Sequence, residues 1–342
     1  MSHHHHHHHH PSLDDSHSLL PLQTLDLDTG LSLVPRFHLN LTVHRSDASV
    51  KPLDEWQLKR SLIDFLKSTF SIVVPEDDLQ VHKFKDLKKR KREDPVARGK
   101  LFIRDLTFLS TSSVGHQEQE KKVAEWKKVV VGKMDGIELS LAGVRFKLSV
   151  EIPKSDDFEA MRNEWEDVSA FGGGGDRGYS RGRKREPDTI VLRGVPSRWF
   201  AETRVSSKPS MLVTHTIFSA LGKIRNLDVS EDDGMGKNAD EGDEDIVPGL
   251  QCKIVVRFED HREFSKALKV LCGRSLQKQG SRLKADYEVT WDKDNLFRNA
   301  RSQTEENSRS VAAGSYRSEA GRYQSHVPRF SEDSARAKRF KV

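Results

Sequence analysis

Residues 98–105 read Arg-Gly-Lys-Leu-Phe-Ile-Arg-Asp. Side chains alternate along an extended strand, so Arg98, Lys100, Phe102 and Arg104 share one face. A flat ring flanked by cations suits a single-stranded nucleic acid: the ring stacks an unpaired base and the cations meet phosphates. A plainer reading stands beside this one. A slip of one residue in register turns Phe102 into a core.

A second strand pattern, Gln251-Cys-Lys-Ile-Val-Val-Arg-Phe258, puts Lys253, Val255 and Arg257 on one face beside Val191 and Arg193. No ring is available there. Such a face holds phosphates without reading bases, or is simply a solvated charged surface. Trp199 and Phe200 directly follow the strand that ends near Pro196. They either cap a helical layer or form an anchor for a protein partner. Arg274-Ser275-Leu276 stands where some splicing-factor domains carry an Arg-x-Phe that binds tryptophan-bearing peptides. The Arg fits and the Phe is missing.

These residues need a scaffold, and the chain spells the same one twice. Phe37, Leu39, Leu41 and Val43 alternate with polar residues as a half-buried strand. Asp54 is a plausible N-cap for a helix through Phe70. A strand near 79–87, the 98–106 strand, a helix over 118–134 and a strand or hairpin over 137–150 follow. From Ile190 the order βαββαβ recurs: a helix over 210–221, strands at 226–229 and 251–258, a helix over 260–271 closed by Gly273 at C′, and alternation from Leu283 to Trp291. Two βαββαβ units predict an α+β chain with two ferredoxin-like domains of the RNA-recognition-motif (RRM) type. In each, helices cover one sheet face and the other stays open. The expected boundaries are a His-rich disordered tail over 1–29, domain one over 30–152, and a helix plus Gly/Arg-rich linker over 153–186. Domain two follows over 187–292, with an acidic loop at 231–245, and a disordered basic Ser/Arg-rich tail closes the chain over 293–342.

The 342 residues are 35% hydrophobic and 32% charged, with a net charge of +5. That polarity fits ordered modules separated by solvated segments. Two cysteines, Cys252 and Cys272, give no disulfide framework or zinc spacing and read as small core residues. No apolar run is long enough for a membrane helix. The His3–His10 run reads as a tag or a natural polar tract and is set aside as a metal site. P-loop, Gly-x-Ser-x-Gly and His-Glu-x-x-His patterns are absent, so no enzyme and no cofactor is expected. Lys88, Lys89, Arg90, Lys91 and Arg92 form a basic loop suited to nuclear localisation; 181–186 and 335–342 repeat the feature.

The stretch E186-PDTIVLRGVPSRWFA201, followed by IFSALGKIRNLDV over 217–229, resembles the A-kinase anchoring protein 17A family. Its members carry a Pro-Asp-Thr-Ile and Trp-Phe-Ala signature and then a Phe-x-x-x-Gly-x-Ile-Arg-Asn segment. The resemblance extends over about residues 30–295. It implies a nuclear, splicing-associated protein whose partners are single-stranded RNA, notably pre-mRNA, and splicing factors, with no membrane. Protein kinase A anchoring is not carried over, because the tail lacks an apolar helical stripe. The alternative is an adaptor whose RRM-type folds bind protein instead of RNA.

Overall fold

The computed structural model describes residues 21–46, 53–84, 91, 93–110, 115–171, 186–202, 208–232, 250–294 and 296–297. The chain divides into two units, Met1–Asp292 and Lys293–Val342, and every strand among the described residues lies in the first. The described chain begins with a hairpin of β1 (Leu25–Leu27) and β2 (Leu31–Pro35). β2 continues through Arg36 into β3 (Phe37–Arg45). The first module then adds α1 (Glu55–Phe70), β4 (Leu79–Lys83), β5 (Ala97–Ile103), α2 (His116–Met134) and the hairpin β6 (Glu138–Leu141) and β7 (Val144–Glu151). α3 (Phe158–Phe171) follows. The second module holds β8 (Thr189–Pro196), α4 (Met211–Ser219), β9 (Ile224–Glu231), β10 (Gln251–Phe258), α5 (His261–Leu271), β11 (Arg274–Lys278), β12 (Lys284–Ala285) and β13 (Glu288–Trp291).

All the strand pairs are antiparallel, and the fold is α+β. The first sheet runs β4-β5-β3-β7-β6 and the second β13-β8-β10-β9. In both, the first strand of the unit sits between the third and the last. Alternation explains the cores. Leu39, Leu41, Leu101, Phe146 and Leu148 meet Leu58, Leu62 and Leu66 of α1 on one face of the first sheet. Ile190, Leu192, Ile254, Val256 and Phe258 meet Phe264, Leu268 and Leu271 of α5 in the second. Asp54 caps α1, accepting from the amides of Trp56 and Gln57. Gly273 takes φ +66° just past α5, the left-handed turn that glycine makes at no steric cost.

A third sheet, β1-β2-β11-β12, joins the N-terminal hairpin to the second module. Leu33 pairs with Leu276, and Leu27, Leu31 and Leu33 enter the second core. The expected tail over 1–29 is therefore corrected: residues 25–27 are a strand, while 1–20 lie outside the described residues. The expected strand from Leu283 to Trp291 is also corrected. It is broken at Asp286 and Tyr287, and Leu283 is exposed. The reason lies in Asp286, whose carboxylate turns aside to two arginines. The linker over 172–185, most of the acidic loop and the tail beyond 297 lie outside the described residues.

Candidate nucleic-acid interface

Phe102 pairs with His38 across β5 and β3 and faces away from the helix-packed core, as the alternation required. The open platform expected there is corrected, because Phe102 is only 3% exposed. The His38 ring stacks on it, centroids 4.4 Å apart and planes 25° from parallel. The guanidinium carbons of Arg36 and Arg104 lie 5.4 and 5.0 Å from its centroid. Cations at such distances are held by the ring quadrupole. A base cannot stack here while these groups stay in place.

The groups in and around the Phe102 cluster come from five parts of the chain. Arg36 lies between β2 and β3, its side chain 1% exposed, and donates to Asp156 at 3.2 Å, Asp286 at 2.6 Å and the Tyr287 carbonyl at 3.0 Å. His38 Nδ1 lies 3.1 Å from Asp156 and donates to it, since a carboxylate only accepts. Arg104 binds Asp78 through Nε at 2.6 Å and Asp286 through Nη2 at 2.8 Å. Ser275 donates to Asp286 at 2.6 Å. Burial alone would push the Asp286 carboxyl up. The hydrogen bonds and charge of Arg104 and Arg36 outweigh it and hold that carboxyl far below its ordinary range. Burial also opposes the charge on Asp156, and His38 and Arg36 outweigh it in the same way. Arg104, expected to contact RNA, is thus a member of the joint between modules.

The other end of the same face is different. Arg98 is exposed and Lys100 half-buried, in register with Thr42 and Asn40 of β3 and with His82 and Gln80 of β4. His44 pairs with Lys147, and Arg145 with Ser140. Lys91, the one described residue of the 88–92 cluster, is exposed beside this end. Its carbonyl accepts from Arg45 at 3.4 Å, and the Glu93 carbonyl lies 3.2 Å from His44 Nδ1. Lys88, Lys89, Arg90 and Arg92 lie outside the described residues. Phe84 follows β4 at the position that keeps its ring on the outer face, and the Arg98 guanidinium carbon lies 5.7 Å from its centroid. Sequence reasoning missed Phe84, His44, His82, Arg145 and Lys147. The even-numbered run 80, 82, 84 held the signal for Phe84.

The second module's outer face carries no Phe, Tyr or Trp on its paired strands. Val191 and Val255 are buried and adjacent. Arg193 meets Asp232 at 3.3 Å and Arg257 meets Asp188 at 2.8 Å. Lys253 is half-buried, opposite Ser230. The protein anchors expected near this module are corrected. Phe200 is 0% exposed and stacks with Phe218 in the core, and Trp199 packs half-buried against the same cluster. Arg274 is buried and donates to the carbonyls of Val270, Pro21 and Gln23, closing the C-terminal end of α5. Burial pushes the Cys252 thiol up to about 12, which leaves it protonated and unreactive at neutral pH. No group of metal-ligating side chains is gathered among the described residues, and no described helix is long and apolar enough to cross a membrane.

Two antiparallel sheets, each layered on helices, with one outer face basic at one end, make an α+β architecture. The family described as AKAP-17A-like, RNA-binding domain matches residues 118–326, more than half of the chain, and the chain belongs to that family. A-kinase anchor protein 17A of Homo sapiens is 28% identical over 158 residues, covering 44% of this chain and 22% of that protein. The chain thus spans under a quarter of that relative's length. The family match starts inside α2. It takes in Arg145, Lys147 and the whole second module, and leaves out β3, β4 and β5.

Proposed function

We propose that this protein is a non-enzymatic RNA-binding protein with two RRM-like domains, acting in pre-mRNA splicing in the nucleus. Membership of an RNA-binding-domain family carries the reading. The strand order of the two sheets supports the RRM-like assignment, because the last, first, third and second strands of each unit lie side by side. Arg98, Lys100, Arg145 and Lys147 supply cations on the outer face of the first domain, and Arg193, Lys253 and Arg257 supply fewer on the second. Splicing factors are the expected protein partners, the 88–92 cluster the nuclear signal, and no cofactor is required.

The test is fluorescence anisotropy of the full chain with a mixed single-stranded RNA pool at two salt concentrations. Binding is expected, with an affinity that falls steeply as salt rises, because each phosphate contact releases counterions. An absence of binding at the lower salt would sink the RNA reading. One observation favours an adaptor role for the second domain alone: two of its three face cations, Arg193 and Arg257, already hold carboxylates. A protein contact through that domain would be nearly indifferent to salt.

A further inference from the structure

We infer that the β11–β12 hairpin is a phosphate-binding finger that enters between two backbones of a base-paired RNA. The inference adds a site off the two sheet faces and rests on the RNA-binding reading for the class of ligand. The hairpin tip reads Lys278-Gln-Gly-Ser-Arg-Leu-Lys284. Lys278, Arg282 and Lys284 are exposed, and no ion pair among the described residues includes them. Other cations of the same module are already engaged. Arg193 and Arg257 hold carboxylates, and Arg274 is buried.

The register fixes where these cations stand. Gln277 pairs with Lys284, and the Lys278 amide donates to the Leu283 carbonyl at 3.2 Å. Successive rungs of a two-stranded ribbon face opposite sides. Lys278 and Leu283 therefore share one side, Lys284 takes the other, and Arg282 lies toward the tip. The tip is braced. Ser281 Oγ accepts from the Leu283 amide at 3.0 Å, and Gln277 donates to the Ser281 carbonyl at 2.9 Å. The Gln279 amide donates to the Gly30 carbonyl at 2.9 Å, which ties the tip to the β1–β2 turn. A braced backbone has little freedom to lose on binding. A single strand would track one side of such a ribbon. Cations on both sides meet phosphates together where backbone lies on both sides, as it does across a groove of an RNA helix. Contacts of this kind hold the helix by shape and charge and read no base. The exposed Leu283 among cations also suits an anionic membrane surface. One leucine inserts little apolar area, and the RNA-binding-domain family match spans the whole hairpin, so the observations favour RNA.

The experiment makes Lys278→Gln, Lys284→Gln and the double variant in the full chain, with Lys266→Gln on the exposed side of α5 as the control. Each is titrated with a single-stranded RNA 12-mer and with its duplex over a range of salt, and thermal melts confirm that each folds. For the duplex, the slope of log affinity against log salt should become shallower by about 1 for each single variant and by about 2 for the double. The single-strand slope, and both slopes of Lys266→Gln, should match the parent's. A parent-like duplex slope in the folded double variant would overturn the finger and leave the RNA reading standing. An equal loss on the single strand, or the same loss in Lys266→Gln, would overturn the placement between two backbones. Binding of the parent to phosphatidylserine vesicles, lost in the double variant while duplex affinity holds, would give the hairpin to a membrane instead. A parent that binds neither RNA would overturn both readings.

Discussion

Asp286 is held by two arginines that precede it by 250 and 182 residues: Arg36 at 2.6 Å and Arg104 at 2.8 Å. Its carboxyl is held far below the ordinary range in the folded protein, and that of Asp156 is lowered too. The unfolded chain protonates such groups near pH 3.9. The stability they contribute is complete above about pH 4 and is lost as pH falls toward the folded values, where the unfolded state takes up protons first. Tm should therefore fall steeply below about pH 4 in the parent. Asp286→Asn should lower Tm at pH 7, because Arg36 and Arg104 lose a charged partner, and should give a shallower acid slope. A variant with the parent's acid slope would remove Asp286 from this role. Differential scanning calorimetry from pH 2.5 to 7 reads both effects.

Gly99 follows Arg98 in β5, and its absent side chain serves packing. A Cβ built there falls 2.6 Å from the Gln80 carbonyl oxygen, a backbone atom of the neighbouring strand. Gly to Ala in an unstrained site gains about 0.4–1 kcal/mol by restricting the unfolded chain. Forcing two strands apart costs about 1–3 kcal/mol and wins. Gly99→Ala should therefore lower the unfolding free energy in urea, with RNA affinity of the folded protein retained. A stabilised variant would contradict the close approach.

A fragment confined to the family match, residues 118–326, should not fold. It lacks β3, the strand that pairs with both β5 and β7, and it lacks β2, which pairs with β11. The second module depends on that N-terminal strand. Leu27, Leu31 and Leu33 all sit in its core. Burying each contributes about 1.5–3 kcal/mol as an upper estimate, so the three together rival a whole domain's stability of about 5–15 kcal/mol. Amide spectra of 118–326 should show a collapsed, poorly dispersed chain, and those of 21–296 a folded one. A well-dispersed spectrum from the shorter fragment would refute the dependence.

The sequence made some of this readable and hid the rest for a definite reason. Period-two alternation placed Phe102 on the outer face, as capping chemistry placed Asp54 and Gly273 at helix ends, because those signals are local. It could not show that the face is sealed at Phe102, since Arg36, Asp156 and Asp286 converge there from separations of 120 and 250 residues. Leu27 looked like tail, and Leu31 and Leu33 like part of domain one, because the core they enter is built from residues far downstream. Phe200 and Arg274 looked like exposed anchors for the same reason: the core residue Phe218 and the carbonyls of Pro21 and Gln23 are supplied by other segments. Phe84 was overlooked although it lay inside the strand expected near 79–87 and its even number placed it with His82 and Gln80.

The run from β2 through Arg36 into β3 also sets a timetable for synthesis. Arg36 leaves the ribosome 239 residues ahead of Ser275, its neighbour in the finished joint. At about 5–20 residues per second that interval is roughly 10–50 s. Through most of it, the core that the three leucines of the β1–β2 hairpin enter is incomplete, while the first sheet can already form. The nascent chain thus carries a greasy hairpin that waits for its mate. Chaperone capture of that hairpin, and pairing between hairpins on neighbouring ribosomes, are the hazards this architecture accepts in exchange for joining β2 to β11.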